Sequence, residues 1–119
     1  MAEHTKNDIE WHSDGRDISE PIVTKAEIRK MTPVYSGVLK YFPDAIREVS
    51  RCSLAGQIQH NPDKPLSWDR SKSGDELDAL ARHLLEAGEI DDDGIRHSAK
   101  VAWRALANLQ KEIEKAHGL

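Results

Sequence analysis

Residues 73–104, SGDELDALARHLLEAGEIDDDGIRHSAKVAWR, decide how the chain is read. Ser73 and Glu76 stand at the spacing of a helix capping box. Behind them Leu77, Leu80, Ala81, Leu84 and Leu85 recur at helical intervals, an apolar stripe that Gly88 ends. Asp91-Asp92-Asp93-Gly94 is a tight acidic turn. A second helical pattern runs from about Gly94 to His117, with Ile95, Ala99, Ala102, Leu106, Leu109 and Ile113 expected to face inward and Gly118 after its end. The reading is two helices around an acidic turn, each carrying one histidine, His83 and His97.

Upstream, Pro43 occupies the position a helix favours for proline, and Asp44 lies in its first turn, where the helix dipole welcomes a carboxylate. Ile46, Val49, Cys52 and Leu54 or Ala55 continue that helix to about Ile58. Small residues Ser50, Ser53 and Gly56 would allow close helix approach. Between this helix and residue 73 the segment HNPDKPLSWDRSKSG is a long loop anchored by Trp68. A short helix over residues 21–31 follows from Thr24 and Glu27 at capping-box spacing, and Pro33 stops it. The segment TPVYSGVLKYFP is expected to be irregular. Residues 1–20 are polar and aperiodic, an extended arm with Trp11 available for a neighbouring subunit. The expectation is an all-α protein: an N-terminal arm, residues 1–20, and one helical domain, residues 21–119, a small bundle of three to four helices.

Composition agrees. The 119 residues are 38% hydrophobic and 32% charged, a soluble globular balance with a thin core that a homo-oligomer would complete. A net charge of −4 argues against direct nucleic-acid binding. No apolar run approaches the roughly 18–20 residues needed to span a bilayer, so no membrane role is expected. The polar N-terminus is not a secretory signal, and the expected compartment is the cytoplasm. A single cysteine, Cys52, excludes an intramolecular disulfide and a multi-cysteine zinc site, and its ordinary role is a small buried apolar residue.

Three constellations carry chemistry. Glu89, Asp91, Asp92 and Asp93 set four carboxylates within one turn, where hard cations such as Mg²⁺ or Mn²⁺ find oxygen ligands. Asp44 and Glu48, one helical turn apart, can add more. On the last helix His97, Lys100 and Arg104 share one side, a cationic stripe suited to phosphates, with arginine offering a fork and lysine a point charge. His83 can bind a metal, contact a phosphate or sit satisfied in the interior. Each part has a plain structural reading: a solvated acidic turn with Asp93 capping the last helix, and an exposed basic face paired with it.

From Pro43 onward the order is PDAIREV, a loop with Trp68, Arg82-His83-Leu84, Gly88-Glu89, Asp91, Gly94, His97 and Ala102-Trp103. Over roughly residues 33–114 this resembles the phage-type dATP/dGTP diphosphohydrolase (N-terminal domain) family, most densely between Arg82 and Leu106. The resemblance implies metal-dependent hydrolysis of purine deoxynucleoside triphosphates in phage nucleotide metabolism, with Arg82, His83, Glu89, Asp91, His97 and Trp103 on the family pattern. Two positions depart from it. Lys100 stands where the family often has a second histidine, and Arg104 where it often has asparagine. The acidic turn is also about two residues shorter.

The combined expectation is a nucleoside triphosphate hydrolase with Mg²⁺ or Mn²⁺ held by Glu48, Glu89, Asp91, Asp92 and His97. Glu48, Glu89 and His97 would serve catalysis by activating a water. Arg82, His83, Lys100 and Arg104 would bind the phosphates, with Trp68 against the purine base. The alternative is a non-catalytic phage protein that binds or sequesters a nucleotide, which the lysine at 100 favours. A third reading is a partner-binding helical domain without nucleotide.

Overall fold

The computed structural model describes residues 23–72 and 74–118; the N-terminal arm and Trp11 lie outside the described residues. Four α-helices follow in order: α1 (Lys25–Lys30), α2 (Pro43–His60), α3 (Glu76–Leu84) and α4 (His97–Ala116). No strand occurs among the described residues; the nearest approach is a single antiparallel bridge between Ile90 and Arg96. The protein is all-α, and no described helix is long and apolar enough to cross a membrane. The chain divides into two compact units, with the boundary between Tyr41 and Phe42.

In the first unit the capping box forms as the spacing requires. Thr24 N donates to Glu27 Oε1 at 2.8 Å, and Glu27 N donates to Thr24 Oγ1 at 3.1 Å. Those bonds, the backbone one first, hold the Glu27 carboxyl below its ordinary pKa. The segment after Pro33 is not irregular. Tyr35–Leu39 forms a π-helical turn in which Lys40 N donates to Tyr35 O at 2.8 Å. Gly37 makes it possible, because a Cβ there would lie 3.3 Å from Pro33 Cγ.

In the second unit α4 is the central element, packed against both α3 and α2. Pro43 opens α2 in the first turn, where its missing N–H costs no bond. Ile46, Val49, Cys52 and Ala55 are half-buried, but Leu54 is exposed. The long loop after α2 is not structureless. Gln57, itself buried, donates from Nε2 to Asn61 O at 2.6 Å and Lys64 O at 3.0 Å, and its Oε1 accepts from Ser67 N at 3.2 Å. One side chain thereby replaces the backbone partners that a loop lacks. A 3₁₀ turn, Arg70–Lys72, ends the loop, with Asp69 accepting from Ser71 N.

Three expectations require correction. The N-cap of α3 is Asp75, so Glu76 is the first helical residue rather than the third; Ser73 lies outside the described residues. α4 starts at His97, not Gly94, because Asp91 N donates to Ile95 O and His97 N to Glu89 O, which keeps 91–96 a closed turn. Asp93 accordingly caps that turn, accepting from Ile95 N at 3.0 Å, while Arg96 holds the N-cap position of α4. Gly94, at φ +80°, supplies the left-handed step the turn needs.

The third correction concerns the core. The buried apolar residues among those described are Ala79, Ile95, Ala99 and Ala107, joined by the polar Gln57, Glu76 and His97. Leu106, Leu109 and Ile113, expected inside, are 53%, 51% and 43% exposed, and Leu77 and Leu84 on α3 are 62% and 56% exposed. The helices meet through small residues and a polar seam, which turns the leucine-rich flanks toward solvent in the single chain.

Candidate functional site

The site is assembled from the seam between α3 and α4 and from the turn that joins them. His83 lies in the last turn of α3 and His97 opens α4, so the closed 91–96 turn brings the two rings together. Nδ1 of His83 and Nδ1 of His97 are 2.9 Å apart, with ring centroids at 5.1 Å. His97 is buried and presents its other nitrogen to two carboxylates, Glu86 Oε1 at 3.7 Å and Asp91 Oδ1 at 3.8 Å. Burial, then the positive charge of Lys100, lowers the pKa of His83 below its ordinary value, favouring the neutral imidazole.

Lys100 sits one turn beyond His97. Its ammonium contacts Asp91 Oδ2 at 2.7 Å and Asp93 Oδ2 at 2.8 Å. The Lys100 hydrogen bond and the bond from Asp92 N hold the Asp91 carboxyl down to about 2. Burial opposes the charge on Lys100, but the bonds to Asp91 and Asp93 win and raise its pKa.

Beside this centre opens a cleft of about 180 Å³ within the second unit. The cations Lys72, Lys100 and Arg104 line it together with the carboxylates Asp69 and Asp93, and His83 reaches it from α3. From α2, Ser53 and Gly56 line the cleft. A Cβ on Gly56 would meet nothing within 4 Å, so these small residues leave room for the cleft rather than for a packed helix. The end wall is aromatic. Trp68 and Trp103 pack edge to face at 5.6 Å, and Arg70 lies 4.0 Å over the Trp68 ring. Burial pushes the pKa of the Cys52 thiol, also on this lining, upward.

A second ionic cluster braces the cleft from behind. Glu76, 5% exposed, places Oε2 2.6 Å from Lys111 Nζ and Oε1 3.6 Å from Arg104 Nη1. It ties the start of α3 to the middle of α4 and holds the arginine whose Cζ lies 5.5 Å from the Trp103 ring centre. Sequence reading gave Glu76 only a capping role and passed over Gln57. The only hint for Glu76 was its two-turn spacing from His83, matched by the two-turn spacing of Arg104 and Lys111 on α4.

The residues singled out from sequence fall into two groups. The structure brings His83, Asp91 and His97 into one cluster, a ligand atom from each lying within 4.8 Å of the others. His83, Lys100, Arg104 and Trp68 line the cleft beside it. Four others stand apart. Glu48 faces Arg51 at 3.6 Å and Arg96 at 3.8 Å. Glu89 has an exposed side chain and contributes its backbone carbonyl to His97 N. Asp92 is exposed in the turn, and Arg82 pairs with Asp75 at 3.1 Å on the surface.

Comparison with known proteins identifies the family. The family model described as dATP/dGTP diphosphohydrolase, N-terminal, matches residues 24–118, well over half of the chain. No curated protein and no solved structure matches.

Proposed function

Because this chain belongs to the dATP/dGTP diphosphohydrolase N-terminal family, we propose that its cleft binds a purine deoxynucleoside triphosphate and hydrolyses the phosphate chain with the help of a divalent ion. The observation that carries the reading is the set of cations Lys72, Lys100 and Arg104 lining the cleft beside the His83–Asp91–His97 cluster. Fixed cations there would take up charge developing on the phosphate oxygens. Arg104, braced by Glu76, offers a fork to two oxygens, and Lys100 a point charge. Trp103 would meet the base, since Arg70 lies 4.0 Å over the Trp68 ring and Arg104 stands further off, 5.5 Å from that of Trp103. A bound ion would lower the pKa of an attacking water.

The experiment is direct. Purified protein is incubated with dATP, dGTP and dCTP in the presence of Mg²⁺, Mn²⁺, Co²⁺ or Zn²⁺, and products are separated by anion exchange. Turnover of the purine substrates is expected with at least one ion. No product with any of the four at high protein concentration rejects the enzyme.

One observation favours the non-catalytic reading. Lys100 is already paired with both Asp91 and Asp93, which leaves fewer carboxylate oxygens for a catalytic ion, while Lys72 and Arg104 remain on the cleft lining to meet a polyphosphate. Calorimetry that finds tight binding, with the nucleotide recovered intact, supports that alternative.

The exposed leucines of α3 and α4 fit a homo-oligomer that covers them. Sedimentation velocity should give a mass above 13.4 kDa, and Leu109→Lys should lower it.

A further inference from the structure

The histidine pair suggests which ion the site accepts. Two donors on one ion can be no further apart than twice the metal–ligand bond, about 4.2 Å for nitrogen ligands. Neighbouring donors around an octahedral ion with such bonds stand about 3.0 Å apart. The two Nδ1 atoms are 2.9 Å apart, and one ligand atom from each of His83, His97 and Asp91 lies within 4.8 Å of the others, so a closure of at most about 0.6 Å brings every pair within the limit of about 4.2 Å. The geometry points to a metal site formed by one imidazole nitrogen from each of His83 and His97 and one Asp91 carboxylate oxygen, selective for a borderline first-row ion such as Zn²⁺ or Co²⁺ over Mg²⁺.

Three features support that selectivity. Two of the three donors are imidazoles, which suit borderline ions, whereas Mg²⁺ favours carboxylate and water oxygens. The carboxylates that would make an oxygen-rich site do not converge: Glu48 is engaged by arginines, and Asp93 by Lys100. Lys100 also occupies the second oxygen of Asp91, leaving that residue one oxygen for an ion. Glu86 lies 3.7 Å from Nε2 of His97, close enough for its carboxylate to orient that ring.

This inference deepens the proposed function and rests on it only for what the ion does; binding is read without nucleotide. Chelator-treated full-length protein is titrated with Co²⁺, followed by its visible absorption, and competed with Zn²⁺, Mn²⁺ and Mg²⁺. One Co²⁺ per chain is expected, displaced most readily by Zn²⁺, less by Mn²⁺, and not by millimolar Mg²⁺. His83→Ala removes a half-exposed side chain and should weaken Co²⁺ by at least about tenfold while the circular dichroism stays unchanged. Asp91→Asn, which alters one atom, gives the same test should the alanine variant fail to fold. Co²⁺ affinity unchanged in the folded variants, or displacement by equimolar Mg²⁺, overturns the inference. Failed nucleotide turnover with an intact Co²⁺ site would instead remove the hydrolase reading alone.

Discussion

Nδ1 of His83 and Nδ1 of His97 meet at 2.9 Å across the seam between α3 and α4. Two basic nitrogens approach so closely only when one carries a proton for the other or when a cation lies against both. His83 of the pair lines the cleft beside Lys100 and Arg104.

Glu76 is the brace. Its carboxylate is buried between Lys111 and Arg104, so truncation leaves two cations facing each other without it. Glu76→Ala is expected to cost about 2–3 kcal/mol of unfolding free energy, below the range for fully buried pairs because Lys111 and Arg104 are partly exposed. Urea denaturation measures it. Because the lost brace also frees Arg104, nucleotide affinity should fall in the same variant, and Glu76→Gln should recover part of the stability but less of the affinity.

Gln57 organises the loop that carries Trp68. Removing its three hydrogen bonds in Gln57→Ala should destabilise the protein by about 2 kcal/mol, at roughly 0.5–1.5 kcal/mol for each bond less the screening that water supplies. Hydrogen exchange gives a sharper check. The Ser67 amide should lose protection while the α4 amides keep theirs.

The Asp91–Lys100 pair makes stability depend on pH. Asp91 falls from 3.8 to about 2 in the folded protein. A lowered folded pKa means the contribution is fully present above pH 3.8 and is lost as pH falls through about 2. Acid unfolding curves should show that loss between about pH 4 and pH 2, and it should shrink in Lys100→Met. At neutral pH the same variant should be less stable by about 1–2 kcal/mol, since both partners are mostly shielded from water.

Cys52 reports on the cleft. Burial raises its pKa, so at pH 8 less thiolate is present than on a free cysteine and alkylation should be slow. It lines the cleft with Lys100 and Arg104, and a bound triphosphate should slow the reaction further. Rates of iodoacetamide labelling with and without dGTP measure this; equal rates would place the nucleotide elsewhere.

Much of the architecture is written in local sequence. Thr24 and Glu27 form their capping box because both partners lie within one helical turn, and Pro43 opens α2 because a proline ring has no better place in a helix. The family pattern around Arg82–Leu106 is likewise carried by residues close in the chain, and it marked His83, Asp91 and His97 together with Arg82, Glu89 and Trp103. What the sequence could not determine is which face of each helix meets which neighbour. An amphipathic helix read alone directs its leucines inward. Here Leu106 and Leu109 face out, because Ala79 and Ala107 let α3 and α4 approach along a polar seam. That register sets His83 against His97, encloses Glu76 between Lys111 and Arg104, and leaves Glu48 and Glu89 apart from the cluster. Helix boundaries follow from torsions and caps a few residues long; ligand sets depend on side-chain distances between elements, which only tertiary packing defines.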